Sequence, residues 1–370
     1  MRTPAQAVVD LAAIHHNVTL LREKAAGAQL MAVVKADGYG HGMVPCARTA
    51  LEAGADWLGV AQTAEALQLR RAGITAPLLA MMAIPGEPYD EVIKVGVDVS
   101  AGSIGGVGEI AGAAQRAGRP ARLHLKVDTG LSRGGASAGD WRAVVDAAVA
   151  AEADGHVKVT GVWSHFARAD EPGHPSVRRQ LDAFAEALDQ AEKAGANPEV
   201  RHIANTAAAL TLPQARFDLI RPGGAVYGLS TLPGGAPPDF RPAMTLRTRL
   251  AQVKRVPPGT GVSYGHRHVT AAEAVLGLVP LGYADGVPRG AAGRALVHAL
   301  GRRWAVAGTV CMDQFVIDFG REPVSVGDEV ILFGPGDDGE PTAQEWADTL
   351  GTISYEIVTR IGNRVPRVYS

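Results

Sequence analysis

Residues 30–42 read LMAVVKADGYGHG: five apolar residues, a lysine, then a polar turn punctuated by glycine. A continuous apolar run of this length, bounded by turn residues, has the pattern of a strand buried on both faces. Seven further runs follow, at Trp57–Val60, Pro77–Ala80, Val97–Val99, Arg122–Val127, Val157–Trp163, Val200–Ile203 and Asp218–Ile220. Between them lie longer stretches rich in Ala, Leu, Glu, Gln and Arg at helical spacing, such as Glu65–Arg71, Trp141–Ala151 and Val177–Ala194. Eight strand-then-helix units, with strands too apolar for a half-exposed sheet, predict an α/β fold: a closed parallel (β/α)8 barrel of the TIM type over residues 11–240. A doubly wound open sheet would need fewer strands and a Gly-rich first turn.

After Tyr227 the texture changes. Leu232–Pro242 (LPGGAPPDFRP) is dense in proline and glycine and reads as a linker. Beyond it helical period is scarce. Short strands are expected at Leu246–Arg255, Ala274–Pro280, Trp304–Ala307, Phe315–Asp318 and Glu329–Phe333, giving a C-terminal mostly β domain over residues 241–370. A single helix is expected near Thr342–Leu350, with Thr342 as N-cap and Glu345 three residues on. Residues 1–10 carry the run AVVD, a strand free to return to the β domain.

A chain of 370 residues with 46% hydrophobic and 20% charged residues can bury a sizeable core and is not a disordered polymer. Its formal net charge of −2 supplies no field that would draw it onto nucleic acid or a membrane surface. Two cysteines, Cys46 and Cys311, are too few for a disulfide framework or a zinc ribbon, which suits a reducing, cytoplasmic setting. Met1–Asp10 lacks the basic-then-apolar order of a signal peptide. No apolar run approaches the roughly 18 residues of a membrane helix. The histidines show no metal-ligand spacing, so no protein-bound metal is expected; His266 and His268 read as solvated surface.

In a parallel barrel the chemistry sits at the carboxyl ends of the strands. The first strand ends in Lys35. The fifth reaches Lys126, Asp128 and Arg133, the sixth leads into Ser164-His165, the seventh meets His202 and Asn205-Thr206, and the eighth is followed by Arg221 and Gly223-Gly224. The loops after the last two strands are the usual phosphate cradle of such barrels. Here Asn205-Thr206 opens a short helical run, and two glycines let main-chain amides approach closely. Taken alone, Thr206 reads equally well as an N-cap and the glycines as a turn. Taken alone, Lys35 reads as a strand-end lysine reaching water. Together a desolvated lysine, a phosphate cradle and a nearby arginine fit pyridoxal 5'-phosphate.

The segment VVKADGYGHG (33–42) resembles the pyridoxal-lysine motif of alanine racemases. Further matches run in order: KVDTGLSRGG (126–135), SHFARAD (164–170), RHIANTAAAL (201–210), LIRPGGAVYGLS (219–230), VSYGHRHVT (262–270), LGYADG (281–286), GTVCMDQF (308–315) and ISYEIVTRIGNRVPRVY (353–369). The resemblance implies a pyridoxal-phosphate enzyme that interconverts L- and D-alanine for cell-wall peptidoglycan, with a broader serine racemase as the alternative. By the same resemblance Lys35 would hold the cofactor and act as base on one face of the substrate. Tyr264, supplied by the second subunit of a homodimer with shared active sites, would be the base on the other. Arg221 would meet the pyridine nitrogen and His202 would orient it. Tyr39, Asn205, Thr206, Gly223, Gly224 and Tyr355 would surround the phosphate. Arg133 would sit near the cofactor and the substrate carboxylate, Met312 would offer its main chain to that carboxylate, His165 would lie near the ring and the tyrosine base, and Tyr283 would line the way in. Lys126 matches a lysine that is carbamylated in some relatives. The chain departs from the family pattern at Leu131, Thr206, Gly224 and Thr231, none of which removes a group the chemistry needs.

These residue types suit the reaction. Racemisation takes a proton from one face and returns one to the other, so two bases are expected. Tyrosine ionises near pH 10 and needs positive charge beside it, for which His165 and Arg133 are the candidates. An arginine at the pyridine nitrogen keeps that nitrogen unprotonated and weakens the cofactor as an electron sink. A decarboxylase of the same layout would place an acid there, and a non-catalytic pyridoxal-phosphate carrier would lack residues 243–370.

Overall fold

The computed structural model describes residues 5–370 apart from 234, 236 and 238. Strand β1 (Ala5–Val9) and the helix Leu11–Ala25 precede eight strands separated by helices: β2 (Gln29–Val33), β3 (Trp57–Val60), β4 (Leu78–Ala80), β5 (Asp98–Ala101), β6 (Ala121–Lys126), β7 (Val157–Trp163), β8 (Val200–His202) and β9 (Leu219–Ile220). From β2 to β8 each strand pairs in parallel with the next, and β9 pairs in parallel with β2. The last seam, between β8 and β9, carries no ladder. Two main-chain bonds bridge it, Asp218 N–H to Arg201 O at 3.2 Å and Arg221 N–H to Ala204 O at 2.9 Å. The result is a nearly closed parallel barrel with helices outside, as the apolar runs demand.

Alternation along the strands divides the side chains between the barrel interior and the helical shell. One flank of the interior is an apolar cluster of Met31, Trp57, Leu79, Val200 and Leu219. The other flank is polar, with Asp98, His124, Thr160 and His202 all buried. On β6 the sequence Arg122-Leu-His-Leu-Lys126 places its three polar residues on one face, which therefore points inward.

The C-terminal unit comprises β10 (Met244–Arg249), β11 (Gln252–Val256), β12 (Gly261–Val262), β13 (His268–Val269), β14 (Ala274–Val279), β15 (Leu296–Ala299), β16 (Arg302–Ala307), β17 (Phe315–Asp318), β18 (Glu329–Phe333) and β19 (Arg367–Tyr369). Nine of the chain's strands form one sheet in the order β11-β14-β17-β16-β15-β18-β10-β1-β19. Strand β1 lies between β10, to which it is antiparallel, and β19, to which it is parallel. Residues 1–4 of the expected N-terminal strand lie outside the described residues.

Two expectations for this unit need correction. The single run Leu246–Arg255 is two strands, because the chain turns at Leu250-Ala251 and inserts Leu250 into the core. The single helix becomes two: Ala343–Leu350, capped by Thr342 and Glu345 as expected, and Ser354–Thr359. The second escapes a periodicity search because it has six residues, half of them β-branched. No helix among the described residues is long and apolar enough to cross a membrane.

Candidate active site

Lys35 stands where β2 leaves the barrel through a left-handed turn. Ala36, Asp37, Gly38 and Tyr39 have φ of 52°, 52°, 64° and 53°. Non-glycine residues in this region cost about 1–2 kcal/mol each, so the turn must be held by its surroundings. The Glu65 carboxylate accepts from Ala36 N–H at 2.6 Å and from Ala61 N–H at 2.8 Å. The Asp37 carboxylate accepts from Met43 N–H at 2.8 Å. The buried His41 ring meets the carbonyls of Gly38 and Tyr39, each at 3.0 Å, and stacks on Tyr227. Ser132, before Arg133, and Ser263, before Tyr264, also have positive φ, at 56° and 61°.

The turn delivers Lys35 and Tyr39 to a cavity of about 770 Å³ at the barrel mouth. Among the described residues four basic side chains line it, Lys35, Lys126, Arg133 and Arg221, and no Asp or Glu does. Burial, with Arg133 adding to it, lowers the Lys35 amine below its ordinary value, against an opposing pull from Glu65. Burial and then Arg133 and Arg221 bring Lys126 down to about 8, and its Nζ lies 4.5 Å from the centre of the Trp163 ring. Arg221 is buried and lowered from its ordinary range by desolvation. It donates from Nη1 to His202 Nδ1 at 2.9 Å, and from Nη2 to Ser164 O at 2.8 Å and His165 Nδ1 at 3.2 Å. Arg133 is exposed to the cavity and makes no hydrogen bond or ion pair with the described residues.

His165 corrects an expectation. Burial, followed by the field of Arg221 and the other three cations, holds its ring well below the usual histidine range. The charged form of this ring is disfavoured, which weakens it as a source of positive charge.

The far end of the cavity is lined by hydroxyls and glycines. Asn205, not Thr206, caps the helix Thr206–Thr211, its side chain accepting from Ala208 N–H at 3.1 Å. Thr206 instead accepts from Gly223 N–H at 3.0 Å, joining the two loops. A Cβ on Gly223 would stand 2.1 Å from the Tyr39 hydroxyl, and one on Gly224 would stand 2.2 Å from that of Tyr355. Burial pushes the Tyr39 phenol upward, and takes Tyr355 to about 12 despite hydrogen bonds with Thr206 and Thr231. Both rings stay as neutral donors. Gly223→Ala is expected to displace Tyr39 and cost about 1–3 kcal/mol, checked by equilibrium denaturation.

Tyr264, Met312 and Tyr283 are not in this cavity. They are 74%, 54% and 44% exposed on the C-terminal unit. Tyr264 and Met312 border one shallow depression. Tyr283 N–H donates to Cys311 O at 3.0 Å, which brings the third residue beside them. Ser263 Oγ donates to Thr309 O at 2.6 Å and Thr309 Oγ1 to Tyr264 O at 2.8 Å, so the strained turn before Tyr264 is locked. The site residues thus form two groups on one chain: an enclosed cationic cavity and an exposed phenol.

The alanine racemase N-terminal domain model matches residues 9–231, and the C-terminal domain model matches residues 243–369. The chain belongs to the alanine racemase family. The alanine racemase of Thermobifida fusca is 62% identical over 370 residues, spanning 100% of this chain and 99% of that protein. That of Frankia casuarinae is 59% identical over 366 residues, spanning 98% and 95%. Among solved structures, alanine racemase from D-cycloserine producing Streptomyces lavendulae superposes with a TM-score of 0.98 at 55% identity, covering 100% of this chain and 98% of that one.

Several residues that shape this alanine racemase fold's cavity carry little signal in the sequence. Glu65 looks like an ordinary first-turn helix acid, and only the packing shows it gripping Ala36. Trp163 and the buried pair Asp98 and His124 look in sequence like strand content alone. The polar alternation on β6 was their visible signal. His268, expected at the solvated surface, donates from Nε2 to the Asp318 carboxylate at 2.7 Å.

Proposed function

We propose that this protein interconverts L- and D-alanine with pyridoxal 5'-phosphate as cofactor. The observation that carries the reading is the cavity lined by four basic side chains and, among the described residues, no carboxylate, one of them a lysine whose amine burial lowers below its ordinary value. Such a site repels a cation and favours a ligand with several negative charges. A phosphate would be met by the hydroxyls of Tyr39, Thr206 and Tyr355 and by the main chain at Gly224. The space against the two tyrosines exists only because residues 223 and 224 have no Cβ. The residues present therefore fit the cofactor.

When bound, pyridoxal phosphate makes the α-proton of an amino acid attached to it labile. The protein's part is to place and move protons. Lys35, with its amine below the ordinary lysine range, would hold the cofactor and take or return the proton at Nζ on one face. Tyr264 of the partner subunit would do the same at its phenol oxygen on the other face. Arg221, donor-only, would meet the ring nitrogen. Arg133, without a hydrogen-bond or ion-pair partner among the described residues, would receive the substrate carboxylate together with Met312 N–H and would favour the phenolate. Tyr283 would border the way in.

The supply of Tyr264 from a second chain is supported by its exposure beside Met312 and Tyr283. A two-fold homodimer would give each cavity one such phenol and leave both sites equivalent. We place the activity in the cytoplasm, in keeping with two unpaired cysteines, and assign it to D-alanine supply for peptidoglycan. Incubation with pure L- or pure D-alanine should yield the same racemic mixture. Release of CO2, or consumption of one enantiomer without appearance of the other, would defeat the reading.

Lys126 would carry a carbamate, which turns a donor into an acceptor for Arg133. The step is Lys126–NH2 plus CO2 giving the N-carboxylate and a proton, and it needs the neutral amine. With its amine near 8, the reactive fraction rises from pH 7 to pH 9. Carbon-13 bicarbonate should give a carbamate resonance that grows with pH and is missing in Lys126→Ala.

A further inference from the structure

Beneath the cavity, the barrel interior holds a file of polar side chains. Arg221 Nη1 is 2.9 Å from His202 Nδ1, His202 Nε2 is 2.9 Å from His124 Nδ1, and His124 Nε2 is 3.1 Å from Asp98 Oδ2. Both imidazoles are 0% exposed, and Arg221 and Asp98 are 3% exposed. Asp98 also accepts from Arg122 Nε, at 3.0 and 3.2 Å, and from Thr160 Oγ1 at 3.3 Å. Beyond Arg122 the file ends in Glu199, with 38% of its side chain exposed.

Donor and acceptor rules fix each proton in this file. A guanidinium only donates, so His202 Nδ1 must present a lone pair. His202 then carries its proton on Nε2, aimed at His124 Nδ1, which must be bare in turn. His124 therefore carries its proton on Nε2 and donates to the Asp98 carboxylate. A second proton on either ring would set N–H against N–H in a buried site, where an unmade hydrogen bond is costly. Desolvation, with the Arg221 charge adding to it, holds His202 well below its ordinary value in the same sense.

The packing is built around the two rings. His202 stacks on Trp163 with 6° between planes, and His124 meets Trp57 edge to face. Gly161 leaves the space for His124, since a Cβ there would stand 2.2 Å from Nδ1. Of the three Arg221 nitrogens, Nε alone has no partner among the described residues, and Arg221 borders the cavity.

We propose that Asp98 and His124 are positioning residues for Arg221: the carboxylate fixes the tautomer of His124, His124 fixes that of His202, and His202 holds the guanidinium with Nε left for the cavity. The catalytic consequence rests on Arg221 meeting the cofactor as proposed above. The proton pattern does not.

The test is nitrogen-15 NMR of the full-length, cofactor-free protein labelled at histidine. The rings assigned to His124 and His202 should be neutral Nε2–H tautomers that do not titrate between about pH 5 and pH 8, where an ordinary histidine changes charge. In Asp98→Asn the amide can donate as well as accept, so His124 should gain the Nδ1–H form. Arg122→Gln, which leaves the carboxylate in place, should keep the wild-type pattern. With cofactor, Asp98→Asn should lower kcat by about tenfold and leave KM for alanine within about twofold. An Nδ1–H form or a titration at His124 or His202 in the wild type overturns the proposal, as does an unchanged His124 pattern in Asp98→Asn. Should that variant not fold, the wild-type spectrum decides alone. Absence of racemisation with the ring pattern intact would count against the proposed reaction and not against the positioning role.

Discussion

Lys35→Ala is expected to lower racemisation by about four orders of magnitude, the upper range for losing a positioned general base. The same change should abolish the visible absorbance of bound cofactor, because the amine that would hold it is gone. The fold should survive. Lys35 is one of four cations around a cavity with no carboxylate, and its burial already disfavours its charge. Removing it relieves repulsion from Arg133, so denaturant stability should be equal to the wild type or higher. A variant that keeps the absorbance band and more than a few per cent of activity would show that the chemistry does not pass through residue 35.

Tyr264→Phe should cost about a thousandfold in interconversion. Cofactor absorbance and stability should not change, since the side chain is 74% exposed in the single chain and packs against nothing that the fold needs. One face would keep its base, so exchange of the α-proton with solvent should persist for a single enantiomer. Mixing the two inactive variants is more decisive. A dimer of one Lys35→Ala chain and one Tyr264→Phe chain has one doubly crippled site and one with both native groups. Random reassortment should then restore about a quarter of wild-type activity if the sites are shared across a two-fold axis. If lysine and tyrosine acted within one chain, the mixture would stay inactive.

The barrel was legible because each of its strands is a compact apolar run, and a run buried on both faces needs no register information to be recognised. Lys35, Lys126, His165, Thr206 and Arg221 were legible for a related reason: they interrupt or end those runs, and a polar group at the end of a buried strand has few other places to go. The C-terminal unit gave less. Strands β12 and β13 have two residues each, too few for any period. The helix that carries Tyr355 is dominated by residues that favour strands, so the phenol reaches the cavity from an element the pattern did not reveal. Glu65 grips the turn after Lys35 from a separate segment, and the ring of His41, itself at the end of that turn, stacks on the distant Tyr227; no local pattern encodes either contact. Thr206 shows a finer failure. The hydroxyl that seemed to start the helix is used to tie one loop to the next, and the neighbouring asparagine does the capping.

The sparsely laced seam between β8 and β9, held by two main-chain bonds and the Arg201–Asp218 pair, gives a ligand at the barrel mouth mechanical leverage. Thr206 follows one of these strands and Gly223 and Gly224 the other, so an anion gripped by both loops would fasten the two edges like a clasp. Opening there would expose the interior before the rest of the cylinder yields. The loaded protein should accordingly resist proteases far longer than the stripped one, with the first cuts in the stripped form falling between residues 203 and 224.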